Sequence, residues 1–206
     1  MKYTFLSLPA CALILAPCCA TAATTIPDNN GSGLASVINV STGGQTVTAV
    51  EVTLTTTSGW NGDLYAYLEH DGVISVLLNR PGRTAGNLAG AASSGMTITL
   101  EDSAALDIHT AISGTYGATA TGTYQPDARD ADPGVVTDAS GRSLYLNVFN
   151  SRPADGDWTL FVADLATGGV ATLDSWSLSL TTVPEPATAL LGGLGLLTLL
   201  RRRRNA

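Results

Sequence analysis

From residue 34 to residue 181 apolar and polar side chains alternate in short runs separated by Gly, Asn, Asp and Pro clusters, and helical spacing is nowhere sustained. The alternation predicts strands over Leu34–Val40, Gln45–Thr57, Asp63–Glu69, Val73–Asn79, Met96–Glu101, Ser143–Phe149, Asp157–Ala163 and Ala171–Thr181. In the second run Val50, Val52 and Leu54 interleave with Glu51, Thr53 and Thr55, so one face packs while the other meets solvent. Between the third and fourth runs His70-Asp71-Gly72 predicts a tight hairpin turn, because Gly tolerates positive φ. Eight runs of this kind predict an all-β chain whose two antiparallel sheets pack as a jelly-roll-like β-sandwich. The stretch from Leu106 to Arg142 has no clean period and reads as a long surface excursion with one short strand.

The ends of the chain follow other rules. Lys2 precedes an apolar run from Phe5 to Ala16, and Ala20-Thr21-Ala22-Ala23 follows it, the layout of a helical secretory signal peptide over residues 1–22. Cleavage there removes Cys11, Cys18 and Cys19, all the cysteines of the chain. Cys18 and Cys19 also raise lipid attachment, which Pro17 fits poorly. At the other end, residues 183–206 hold three zones in order. Pro184-Glu185-Pro186 interrupts regular structure, since proline fixes φ and lacks a donor. Ala187 to Leu200 is apolar, and Arg201, Arg202, Arg203 and Arg204 stay cytoplasmic by the positive-inside tendency. A helix over the apolar zone spans roughly 21 Å against about 30 Å of hydrocarbon, so it makes a short transmembrane helix suited to transient inner-membrane insertion. This order resembles the PEP-CTERM sorting signal of Gram-negative bacteria. The resemblance implies export, recognition and cleavage by an exosortase, and delivery to the cell surface or extracellular matrix.

Charge narrows the partners. Residues 23–183 carry 16 acidic side chains against five arginines, a formal net charge of −11. Phosphate-backbone binding draws its affinity from Lys and Arg, so nucleic acid is excluded as a partner class. About 160 residues suffice for one domain, placed at 23–182, with a sizeable core and no disulfide.

A second resemblance rests on an ordered series of motifs. Trp60-Asn61-Gly62-Asp63-Leu64, Leu68-Glu69-His70-Asp71-Gly72 and Leu78-Asn79-Arg80-Pro81-Gly82 come first. Gly122-Thr123-Tyr124-Gln125-Pro126, Leu146 through Phe149, Gly156-Asp157-Trp158-Thr159-Leu160, Asp164 and Leu173-Asp174-Ser175-Trp176-Ser177-Leu178 follow. Together they resemble the P domain, the β-sandwich beside the catalytic domain of proprotein convertases, over roughly residues 26 to 182. The extended Ala/Gly/Thr-rich middle departs from that pattern. The resemblance implies a module whose family partner, a subtilisin-like catalytic domain, is not encoded between the two termini.

The residues themselves point away from catalysis. The two histidines, His70 and His109, lie in no nucleophile or metal motif, and no serine pairs with either by spacing. A glycosidase needs two carboxylates across a sugar, and 16 acids supply many pairs by chance. Calcium is the more plausible ligand, as a structural cofactor, because hard cations take several carboxylate and carbonyl oxygens. Asp63, Asp102 and Asp164 are the candidates: each stands at the edge of a predicted strand and matches or neighbours a P-domain motif, in a family where some members hold calcium. Solvated or turn-capping aspartates are the competing reading. Asp127-Ala128-Arg129-Asp130-Ala131-Asp132 lacks the spacing and Gly of an EF-hand. The threonines between Thr46 and Thr57 form an unrepeated run that reads as an exposed sheet face rather than an ice-binding array. The expectation is a non-catalytic surface or matrix protein that binds or organises exopolysaccharide or a surface protein. The alternative is an accessory domain or minimal hydrolase acting on extracellular glycans or peptides.

Overall fold

A computed structural model describes residues 12–20, 23–112 and 116–184. Its strands are β1 (Leu13–Ile14), β2 (Cys18–Ala20), β3 (Thr24–Thr25), β4 (Leu34–Val40), β5 (Gln45–Ser58) and β6 (Leu64–His70). They continue with β7 (Val73–Asn79), β8 (Met96–Leu100), β9 (Ala120–Tyr124), β10 (Gly156–Asp164) and β11 (Ala171–Pro184). One sheet has the order β4-β10-β6-β7; the other runs β11-β5-β8-β9, with β1, β2 and β3 all paired to the outer edge of β11. The tight turn forms as expected: Asp71 and Gly72 take φ of 51° and 73° and leave His70 opposite Val73. Two positive φ values in a two-residue loop match the right-handed twist of the flanking strands.

Alternation decides which side chains meet between the sheets. Val50, Val52 and Leu54 of β5 and Trp176, Leu178 and Leu180 of β11 face Leu64, Ala66 and Leu68 of β6 and Trp158, Leu160 and Val162 of β10 in one buried cluster. Trp158, Trp176 and Phe149 are the largest fully buried side chains. Each indole N–H has an acceptor, Ala154 O at 3.0 Å and Ser36 Oγ at 2.9 Å respectively, as a buried ring with a polar edge requires.

Three sequence expectations are corrected. Ser143–Phe149 is not a strand: Leu146–Phe149 is a 3₁₀ turn in which Leu146 and Phe149 are buried three residues apart, the spacing of a 3₁₀ helix rather than of a strand. The sheets are not wholly antiparallel, since β9 pairs with β8 in parallel after the excursion through the short helix α1 (Ile108–Ala111). The expected signal helix is not formed where residues 1–22 are described. Leu13–Ile14 and Cys18–Ala20 are strands on β11, broken at Pro17, and their backbone groups satisfy the edge of β11. The expected short C-terminal transmembrane helix lies outside the described residues, as do Glu185, Pro186, Arg201, Arg202, Arg203 and Arg204 of the sorting motif. Among the described residues no helix is long and apolar enough to cross a membrane. Pro184 closes β11 opposite Gln45, so this strand runs three residues past its expected end.

Candidate functional site

The antiparallel register of β6 and β10 sets Asp164 opposite Leu64, and the Leu165 N–H donates to Asp63 O at 2.9 Å. Two of the three expected calcium ligands, 101 positions apart in the chain, are thereby brought to one end of the smaller sheet. Asp63 is nearly buried and accepts a hydrogen bond from Arg80 Nη2 at 3.2 Å through Oδ1. Burial raises its carboxyl above the ordinary value, against the opposing charge of Arg80. Asp164 is fully buried; its Oδ1 accepts from the Ala166 N–H at 3.3 Å while Oδ2 has no partner. Burial first, then the charges of Asp63 and Asp28, push its carboxyl up to about 6.

Asp102 is elsewhere. Its carboxylate accepts from the Leu146 and Asn147 N–H groups at 3.0 and 2.7 Å and so caps the 3₁₀ turn, the turn-capping role that competed with ligation. Burial raises its carboxyl, and those two donors oppose the rise. An unpartnered buried carboxylate oxygen on Asp164 suits a hard cation, but Asp63 already shares its charge with Arg80. Among the described residues no three His, Cys, Asp or Glu side chains converge as metal ligands do. Two neighbouring carboxylates, one of them shared with Arg80, fall short of the six to eight oxygens that calcium takes.

Beside this pair a cleft of about 350 Å³ opens, with Asp63, Arg80 and the backbone of Gly90 among its walls. Its rim is aromatic. Trp60 and Tyr116 lie with ring centroids 4.9 Å apart at an interplanar angle of 47°, and the Trp60 N–H donates to Gly168 O at 3.1 Å. The cleft wall depends on glycine: a Cβ on Gly62 would come within 2.4 Å of Ala91 N, so the chain at Asn61–Asp63 lies directly on the loop through Gly90. An aromatic face for the apolar side of a sugar ring, next to a carboxylate and a guanidinium that bond hydroxyls, is chemistry suited to a saccharide.

A buried ionic network among the described residues was not legible in the sequence. His109 and Asp127 are both fully buried, with Nδ1 to Oδ2 at 2.8 Å. Arg129 joins Asp127 to Asp107 at 3.1 and 2.9 Å, and Arg142 reaches Asp107 at 3.6 Å. Burial opposes the charged form of His109, but its hydrogen bond to Asp127 and that carboxylate's charge outweigh it and raise the ring above its ordinary value. This network ties the excursion of residues 107–142 to the sheets. Asp127 lies in the loop judged unlike an EF-hand, where Asp130 and Asp132 are exposed and serve Ser143 Oγ and the Gly134 N–H.

An Asp–His pair invites comparison with a catalytic triad, but the far nitrogen decides against it. His109 Nε2 lies 2.9 Å from Arg83 O, the position a nucleophile's hydroxyl would need. His70 is not in the turn but ends β6; it is stacked on Trp158 at 3.9 Å, with Nδ1 and Nε2 each 2.8 Å from the carbonyls of Asp157 and Pro153. Neither ring nitrogen of either histidine is open to a substrate.

Comparison with known proteins adds the following. Residues 47–180 match the family model of the proprotein convertase P-domain. Residues 182–204 match that of the PEP-CTERM protein-sorting motif. No curated protein matches the chain. Among solved structures, the serine protease of Aeromonas sobria is similar at 17% identity and a TM-score of 0.49, over 86% of this chain and 28% of that one. The complex of that Aeromonas sobria protease with the chaperone ORF2 gives 17% identity and a TM-score of 0.48, over 84% of this chain and 27% of that one. The chain thus spans little more than a quarter of the length of these structures.

Proposed function

The chain belongs to the proprotein convertase P-domain family, and from that premise we propose that it is a non-catalytic, jelly-roll-like module that binds exopolysaccharide at the cleft rimmed by Trp60 and Tyr116. The P domain is a non-catalytic accessory domain. The PEP-CTERM motif is the substrate signal for exosortase processing, and it implies export and cell-surface sorting in Gram-negative bacteria.

The cleft carries the proposal, because it sets an aromatic pair beside Asp63 and Arg80 in one depression. Closed-off ring nitrogens on His70 and His109 favour binding over hydrolysis as its use. Calcium belongs to the same reading, held between Asp63 in the cleft wall and Asp164 buried behind it. With a net charge of −11 over residues 23–183, such a cation also lessens repulsion of an anionic polysaccharide. Removal of residues 1–22 and of the tail after Pro-Glu-Pro completes the proposed maturation.

The test is equilibrium binding of the exported form, purified from producing cells, to those cells' own exopolysaccharide, with calcium and with chelator. Saturable binding lost on Trp60→Ala supports the cleft as the site. Absence of saturable binding in both buffers refutes it. Hydrolysis of the polysaccharide by the purified protein would establish the enzymatic alternative instead.

A further inference from the structure

Strand β11 has two edges with different histories. One is paired along its length with β5, a permanent part of the domain. Among the described residues the other is covered between Trp176 and Thr182 only by the leader: Ala20, Cys19 and Cys18 stand opposite Trp176, Ser177 and Leu178, and Leu13 and Ile14 opposite Thr182 and Thr181. The Leu15 N–H donates to Leu180 O at 3.0 Å, so the backbone groups of Leu180 point to this edge rather than to β5. Beneath, Leu15 and Cys18 of the leader wall a groove of about 170 Å³ whose other side is Val40, Leu178 and Leu180. The leader therefore closes the seam between β11 and β4, the facing edge of the other sheet.

Exposed edges in monomeric proteins are guarded by charge, proline or a bulge. This one is not. From Ser175 to Val183 β11 carries no charged residue and no proline; Asp174 and Pro184 stand just beyond the two ends. In a segment of net charge −11, nine consecutive uncharged residues along an edge are a place where a second chain meets little electrostatic repulsion.

We propose that removal of the leader uncovers this edge and that two copies of the processed protein pair there, β11 against β11, antiparallel about a two-fold axis at Ser179. The proposal rests on the leader-removal reading given above. Ser179 is the midpoint of the uncharged window, and pairing about it sets Leu178 opposite Leu180 and Trp176 opposite Thr182, which joins inner-face residues to inner-face residues. It also sets residues whose backbone groups face the edge opposite one another, as an antiparallel ladder requires. Ser177, Ser179 and Thr181 lie on the outer face, so no like charges meet across the axis. The product is one continuous sheet across both copies, an isologous contact that closes at two.

The test uses the exported protein from producing cells and its Ser179→Lys and Ser179→Glu variants. Intact mass records the N-terminus, and sedimentation equilibrium records the assembly. The expected result is a leaderless dimer, a Ser179→Lys form with the same circular dichroism but about tenfold or more weaker self-association, and recovery when the Lys and Glu variants are mixed. At a non-hydrogen-bonded antiparallel position the two side chains stand close, which makes that site sensitive to sign. A leaderless monomer overturns the pairing while leaving leader removal intact. An exported form that keeps residues 1–22 overturns both. A dimer indifferent to Ser179→Lys, or a complex in which another protein's strand takes the edge, overturns self-pairing at β11.

Discussion

Asp164→Asn isolates a buried carboxyl with one unpartnered oxygen. The Asp164 carboxyl rises from 3.8 to about 6 because it is buried, with Asp63 and Asp28 nearby, and Oδ2 meets no donor. The folded state therefore binds this proton more tightly than the unfolded chain, and stability falls as pH rises between those two values. A rise of that size is worth about 3 kcal/mol once the pH exceeds both values. Asparagine keeps the shape and removes the titration; whatever its buried amide costs, that cost does not change with pH. In urea melts with chelator, the wild type should lose about 3 kcal/mol relative to Asp164→Asn between about pH 3 and about pH 8. The raised His109 also makes stability fall with pH, in the higher window above its ordinary value of 6.5, but it is common to both proteins and cancels in the difference. Parallel stability curves would refute the reasoning. Repeating the melts at pH 7 with calcium adds the second arm. A hundredfold excess over Kd should restore about 2.7 kcal/mol to the wild type and little to the variant. An equal response in both would remove Asp164 from any cation site.

Two other predictions follow from the geometry. Arg129→Met leaves Asp127 and Asp107 without their shared guanidinium and should cost about 3–5 kcal/mol in denaturant melts, since removing one partner of a buried pair strands the others; a loss below about 1 kcal/mol would show that the network is wetter than its burial indicates. Trp60→Ala should weaken exopolysaccharide binding about tenfold or more with an unchanged melting midpoint, because the ring is at a rim and its packing is partly to Tyr116; a matching loss of stability would make Trp60 a structural residue instead.

Local chemistry was legible wherever one residue's neighbours in sequence decide its environment. Leu34–Val40 and Val73–Asn79 alternate or run apolar between turn residues and form strands with those bounds. Asp71-Gly72 turns the chain because positive φ is a property of the turn itself. The Pro184-Glu185-Pro186 segment with its arginines was likewise plain in the letters. Ser143–Phe149 failed for a definite reason: its apolar residues suit a strand, and only the Asp102 carboxylate accepting from Leu146 and Asn147 turns it into a 3₁₀ element.

What the tertiary structure decided is which distant polar groups meet. Asp63 and Asp164 come to one end of the smaller sheet because β6 and β10 are neighbours in one register, while Asp102, similar to both in sequence context, is spent on a turn. His109, Asp127, Arg129 and Asp107 form one buried network inside a stretch with no period at all. Composition and alternation specify how much apolar surface must be hidden and on which face, because burial is non-directional and roughly proportional to area. They carry no information about hydrogen-bonded and ionic partners, which depend on ångström-scale distances that only the packing of strands far apart in the chain sets.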